Sequence, residues 1–304
     1  MSPQTRERMR PVAAFVRLSR LKFLVGGFAG FALGAAAAAS AGAPIRPGLY
    51  AAGQTMVTAF HLMTHYANDY FDRRGDERGQ PTAFSGGSGV LVNGALAPAT
   101  ALRAALVCAA IGAAADIVLG YAGSLTAAAV GAAIGIGAWT YSAPPVRLAA
   151  RGWGELDAVL VVGILVPLAG SAAVSGRIGG SVLAATAAPA CAMFALMIAV
   201  EWPDRAADSA AGKRNLVVRL RPQAAGGLAA VAALAVVPAM LGSLAAGLPW
   251  TQAPFALLLA PLAVRFAQRC LSPAAPAVEV AARGVTLFIL TVGCELFGYI
   301  AIRR

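Results

Sequence analysis

The chain has 304 residues, 59% of them hydrophobic and only 12% charged, with a mean hydropathy of +0.72. Such a composition excludes an ordinary soluble domain. The formal net charge of +11 would suit nucleic acid, but the basic residues flank apolar stretches on one side of a membrane topology rather than forming a basic groove, so nucleic acid is excluded as a partner.

A basic segment, residues 1–22, precedes the first apolar stretch at 23–42. That stretch ends Ala-Ala-Ser-Ala-Gly-Ala, a pattern similar to a signal-peptidase site. It is nevertheless about twenty residues long, enough to span, and the later helices need it for their topology, so it is expected to remain. Further apolar stretches follow at 48–67, 99–120, 123–141, 156–175, 180–200, 223–247, 253–268 and 284–302. Each is continuously apolar rather than alternating, which points to helices and not to a barrel. The expected fold class is therefore all-α, a polytopic membrane bundle of about nine transmembrane helices, forming a single domain over 1–304. Ala- and Gly-rich helices allow close approach and leave room for a ligand channel.

With the N-terminus inside, every Lys and Arg except Arg46, Arg177, Arg303 and Arg304 falls on the inner side, as the positive-inside rule requires. The expected location is thus the lipid bilayer of a bacterial inner membrane, with the N-terminus cytoplasmic. Cys108, Cys191, Cys270 and Cys294 are scattered through apolar stretches and read as small buried hydrophobes.

Only 13 residues are acidic, yet seven of them crowd into Asn68-Asp-Tyr-Phe-Asp72-Arg-Arg-Gly-Asp76-Glu77 and Glu201-Trp-Pro-Asp204-Arg-Ala-Ala-Asp208. Carboxylates four apart share a helical face, which leaves Asp69 and Glu77 off it. Two such pairs facing each other repel unless divalent cations neutralise them. Mg2+ suits hard oxygen ligands and is completed by substrate phosphates. Gln54, Thr58, His61, His65, Asn68, Asp72 and Asp76 continue the face as one polar stripe, expected to wall a cavity. Asp-Arg-x-x-Asp recurs in both motifs, in keeping with a diverged duplication. Four crossings separate the two motifs, an even number, so both face the cytoplasm. The segments 141–155 and 213–221 land on that side as well. A transporter would place its acidic site at mid-membrane, not at helix ends. Asp116 and Glu295 have no assignable partner.

With NxxxDxxxD on one helix and DxxxD on another, the chain resembles the UbiA superfamily of intramembrane prenyltransferases. The resemblance extends over nearly the whole chain. It implies a Mg2+-dependent transferase that ionises a polyprenyl diphosphate and alkylates an aromatic acceptor. By that resemblance Asn68, Asp72, Asp76, Asp204 and Asp208 hold metal, while Lys213, Arg214 and Arg147 grip diphosphate. Tyr141, in Tyr141-Ser-Ala-Pro-Pro-Val-Arg147, stabilises the carbocation. Gly86-Gly-Ser88-Gly89 and Arg151-Gly-Trp-Gly-Glu155 look most like the branch that prenylates 1,4-dihydroxy-2-naphthoate in menaquinone biosynthesis. There the Gly-rich segment with Ser88 approaches diphosphate or acceptor, and Glu155 lies near the acceptor; His65, from the polar stripe, is expected to line the substrate cavity. Glu201, where that branch commonly carries Asn nearby, is an additional ligand or base. Another phenolic or quinoid acceptor, or an intramembrane terpene cyclase with the same diphosphate site, stays open.

Overall fold

A computed structural model describes residues 10–79, 82–122 and 124–301. Arg6, Arg8, Arg303 and Arg304, counted above in the charge asymmetry, lie outside them. Among the described residues every regular element is helical.

In chain order the helices are α1 (Pro11–Ser19), α2 (Leu24–Ser40), α3 (Pro47–Asp76), α4 (Pro98–Tyr121) and α5 (Leu125–Thr140). Short α6 (Leu148–Arg151) and α7 (Gly154–Ala158) follow. A π-helical stretch, Val159–Leu165, then joins α7 to α8 (Val166–Ser175). Next come α9 (Gly180–Ala185), α10 (Ala187–Glu201), α11 (Arg205–Ala210) and α12 (Leu216–Arg219). The chain closes with α13 (Pro222–Ala245), α14 (Ala253–Leu271) and α15 (Ala277–Ala301). Proline occupies the first position of α1, α3, α4 and α13, where its missing N–H costs nothing.

Among the described residues, seven stretches are long and apolar enough to cross a membrane: Pro11–Ser40, Pro98–Tyr121, Gly154–Ser175, Gly180–Glu201, Pro222–Ala245, Trp250–Leu271 and Ala277–Ala301. The expected figure of about nine includes two more, α3 and α5. The polar stripe dilutes the hydropathy of α3, and α5 has only 16 residues. With 30 residues, α3 is about 45 Å long, against a hydrocarbon core of about 30 Å. Its last turns, with Asp72 and Asp76, therefore stand beyond the core.

Small residues bring the helices together. Gly34 of α2 lies against the backbone of Pro167 and Ser171, and Gly170 of α8 lies against the backbone of Phe31 and Ala35. A Cβ at either position would overlap main-chain atoms, so this reciprocal contact sets the α2–α8 separation. Such close approach replaces the hydrophobic driving force that lipid does not supply.

The second acidic motif departs from the expected geometry. Instead of continuing one helix, α10 ends at Glu201, the chain turns through Trp202–Asp204, and α11 restarts at Arg205. Pro203 has no N–H to donate to the Ala199 carbonyl, so the helical ladder is interrupted there even though Trp202 keeps helical backbone angles. Asp204 and Asp208 still share a turn, the Asp208 amide donating to the Asp204 carbonyl at 2.8 Å.

Candidate active site

The C-terminal end of α3 and the segment 201–215 enclose a polar chamber of about 120 Å³. Its lining includes Asn68, Asp72, Asp76, Glu201, Asp204, Asp208, Lys213 and Asn215, together with Arg20, Tyr141 and the loop Ser85–Gly87. The two acidic motifs predicted from the sequence thus meet. Lys213 bridges them, with Nζ 3.0 Å from Asp72 Oδ2 and 3.1 Å from Asp208 Oδ1. Burial works against that ammonium, but Asp72 and Asp208 outweigh it and hold its pKa above the ordinary lysine range. Asn68 donates to Asp72 Oδ2 at 2.9 Å and to Ser142 Oγ at 3.2 Å. Asn215 donates to Asp208 Oδ2 at 2.9 Å while its Oδ1 caps α12 through the Val218 amide.

Asp204 is pushed up to about 6 by burial and by the charge of Asp208. The Gly86 amide, the Ser85 hydroxyl and Lys213 pull the other way. Among the described residues no three His, Cys, Asp or Glu side chains gather tightly enough to hold an ion unaided. The Lys213 ammonium stands where two of the carboxylates converge.

The Gly-rich loop is held by the N-terminal segment. Asp69 is buried; it accepts from the Ser88 amide at 3.2 Å and from the Ser88 hydroxyl, and it pairs with Arg20. Arg17 Nε donates to the Ser88 carbonyl at 3.0 Å, and Lys22 reaches the Ala83 carbonyl and the face of Phe84. Gly87, at φ +69°, packs directly on the Asp76 carboxylate, where no side chain would fit. Arg20 and Arg147 are the non-glycine residues with positive φ among those described. Both bring guanidinium groups to the acidic cluster, Arg147 lying 3.9 Å from Asp72 Oδ1. Backbone strain of this kind collects at functional sites.

Deeper in the bundle lies an apolar chamber of about 520 Å³. The polar stripe contributes His61, His65 and Asn68 to it, with Thr64 beside them, and the π-helical stretch contributes Val161 and Val162. His65 donates through Nδ1 to the Ser19 carbonyl at 2.9 Å. Arg20, Asn68, Phe84, Tyr141, Met197 and Val200 line both chambers, so the two meet at a shared wall. Burial, reinforced by Glu201 and Glu155, holds the Tyr141 phenol well above its ordinary pKa, so it is a hydrogen-bond donor at neutral pH. A basic recess of about 500 Å³ opens beside Asp72 and Lys213, lined by Arg73, Arg74, Arg78 and Arg147 among others. Its positive field draws anions toward the acidic end of α3.

Five of the sequence-predicted residues stand apart from the polar chamber: Arg147 lines the basic recess and His65 the apolar chamber, while Arg214, Ser88 and Glu155 line neither. Arg214 is exposed, its backbone amide bonded to the Ala150 carbonyl. Ser88 faces Asp69 behind the loop. Glu155 is fully buried; it accepts the Leu216 amide and meets the Glu201 side chain, and Oε2 of each glutamate lacks a hydrogen-bond partner. Glu201 does line the chamber. Asp116 lies against Gly131 and Met56, and the buried Glu295 sits one turn from Tyr299 near Gln252; neither belongs to this site.

Arg20 and Asn215 were not singled out from the sequence. Arg20 is hidden among the basic residues that set topology. Asn215, placed just before a helix, carries a capping signal but no hint of its contact with Asp208.

A family model described as the UbiA prenyltransferase family matches residues 28–291. No curated protein sequence matches the chain. Among solved structures, a digeranylgeranylglyceryl phosphate synthase shares the fold at a TM-score of 0.69 and 14% identity, over 96% of this chain and 100% of that one. A UbiA homolog from Aeropyrum pernix K1 matches at 0.69 and 17% identity, over 91% and 98%. A UbiA homolog from Archaeoglobus fulgidus bound to GPP and Mg2+ matches at 0.64 and 15% identity, over 94% and 99%. The apolar helices, the convergence of two acidic motifs and the match over most of the chain agree: this protein belongs to the UbiA prenyltransferase family.

Proposed function

We propose that this protein transfers a polyprenyl group from an allylic diphosphate to an aromatic acceptor, using Mg2+ at the acidic cluster. The observation that carries this reading is the junction of a charged chamber with an apolar one at Asn68 and Tyr141. An amphiphile with an anionic head and a hydrocarbon tail fits that junction, and its reactive carbon falls where the head meets the tail. The Archaeoglobus fulgidus relative bound to GPP and Mg2+ supports both substrate class and metal.

The donor set fits the metal. Asn68, Asp72, Asp76, Asp204 and Asp208 offer hard oxygen atoms, and a protein set incomplete by itself is what Mg2+ takes, since water and substrate phosphates complete it. When bound, Mg2+ stabilises charge on the departing diphosphate as a Lewis acid. Lys213, Arg20 and Arg147 add fixed positive charge for the same oxygens. Arg214, which lines neither the chamber nor the adjoining recess and makes no contact with the acidic cluster, is left out of this set. The C–O bond to diphosphate breaks with its electron pair, and the allylic cation faces the Tyr141 ring. The acceptor's ring carbon then forms the new C–C bond and loses its proton to a base, for which Glu201 is placed. The apolar walls keep water from quenching the cation.

The acceptor favoured is 1,4-dihydroxy-2-naphthoate, in menaquinone biosynthesis, on the resemblance of the Gly86–Gly89 loop and of Arg151–Glu155. A second reading, an intramembrane terpene cyclase, is favoured by Phe23, Phe60, Phe84 and Phe288, which line the apolar chamber and offer ring faces to a migrating cation. We place the chain in a bacterial inner membrane with the site open to the cytoplasm, on the distribution of Lys and Arg.

Labelled geranylgeranyl diphosphate with Mg2+, assayed in liposomes with and without the naphthoate, tests the proposal. A prenylated dihydroxynaphthoate, or the quinone it gives after loss of CO2 and oxidation by air during work-up, formed only with the acceptor supports it. Acceptor-independent diphosphate release with a new hydrocarbon replaces it by the cyclase. No release with any allylic diphosphate overturns both.

A further inference from the structure

We propose that the groove between the C-terminal end of α14 and the start of α15 binds the phosphate headgroup of an anionic phospholipid. On α14, Arg265, Gln268 and Arg269 recur at i, i+3 and i+4, one helical face, and Ser272 follows as its C-cap. Arg283 of α15 joins them around a recess of about 450 Å³. This recess shares no lining residue with the chambers of the active site.

The side chains are arranged, not merely gathered. Glu279 Oε1 lies 3.2 Å from Arg269 Nε and accepts from Arg283 Nε at 2.9 Å. Both contacts use Nε, the terminal amino groups of Arg269 and Arg283 make no hydrogen bond among the described residues, and Arg265 has no ion pair there. One carboxylate faces two of the three guanidinium groups, which leaves the groove with net positive charge. Guanidinium forks match phosphate oxygens two at a time. A charge that served topology alone would need no groove and no carboxylate fixing two arginines side by side.

The surroundings identify the source of the phosphate as a lipid. Exposed Leu258 and Pro261 continue the Arg265 face along α14, and exposed Leu290 and Phe297 continue the Arg283 face along α15. These apolar rows run from the groove into the spanning segments, a bed for acyl chains that a free phosphate would not use. Basic pockets between helices at the cytoplasmic surface are suited to anionic headgroups. The site also touches function, because α15 walls the apolar chamber with Val285, Phe288 and Ile289, beginning two residues beyond Arg283.

Native mass spectrometry of the full chain, released from detergent with phosphatidylglycerol or phosphatidylcholine, reads this directly. The expected result is retention of phosphatidylglycerol about tenfold tighter, equivalent to ~1.4 kcal/mol, unaffected by millimolar inorganic phosphate. The Arg265→Gln/Arg269→Gln variant should lose that preference. The Arg265→Lys/Arg269→Lys variant keeps the charge that sets topology and should lose most of the preference, which preserves the test if the Gln variant does not fold. Equal retention of the two lipids by the wild type, displacement by phosphate, or full preference in the Lys variant would overturn the site.

Discussion

The ammonium of Lys213 lies 3.0 Å from Asp72 Oδ2 and, through its other contact at 3.1 Å, ties Asp72 to Asp208 on the opposite acidic motif. Two carboxylates from segments far apart in sequence are thereby held around one cation. The link offsets repulsion within a cluster of like charges, and it sets up the first prediction.

Replacing Lys213 by Met leaves both carboxylates largely buried and uncompensated. Removing one partner of such a pair costs about 3–5 kcal/mol at the buried limit, so Tm in EDTA should fall clearly. Mg2+ should then restore more of the Tm than it adds to the wild type. An unchanged Tm in EDTA would mean that the bridge contributes nothing to stability.

Asp72→Asn and Asp204→Asn keep the size of the side chain and remove its charge. Each should lower kcat by at least about 10³-fold, since charge stabilisation at a leaving group is often the largest catalytic contribution. Asp204→Asn should melt close to wild type, while Asp72→Asn, which takes one carboxylate from Lys213 but leaves Asp208, should melt lower, though less so than Lys213→Met. Either variant turning over at the normal rate in Mg2+ would remove that residue from the site.

The loop Ser85–Gly87 is held through Asp69, Arg20 and Ser88. Asp69→Ala should release it and raise KM for the diphosphate about tenfold with a smaller effect on kcat, the pattern of lost ground-state binding. Gly87→Ala should be worse, because φ is +69° and Asp76 fills the space for a Cβ. Steady-state kinetics of the two variants side by side check this order.

Asp204 holds its proton up to about pH 6, whereas metal binding needs the ionised form. Mg2+ competes with that proton, so apparent affinity should be full above pH 6 and fall below it, about tenfold per unit for a single proton. Titrating Mg2+ at pH 5 and pH 7.5 against Tm gives the answer without an activity assay. Affinity that does not change between those values would contradict the assignment of Asp204 as a ligand.

Much of this protein is written in one dimension. Apolar runs long enough to span, with no alternation, determine a helical membrane bundle, because lipid leaves backbone groups no partners outside their own helix. The period of Asn68, Asp72 and Asp76 fixes one helical face, and the number of intervening runs puts both acidic motifs at one surface. Tertiary structure decided the rest. Pro203 does not by itself reveal that α10 stops and α11 restarts, nor that Asp204 and Asp208 still converge with Asp72. Arg20 and Lys22 read as topology signals in the sequence, since a charge beside a span has the same local signature whether it faces water or a loop. Only packing brings Arg20 onto Asp69, and Lys22 onto the Gly-rich loop that covers the site. Contacts between residues tens to hundreds of positions apart depend on helix order and separation, which close approaches such as Gly34 on Pro167 set and which no periodicity encodes.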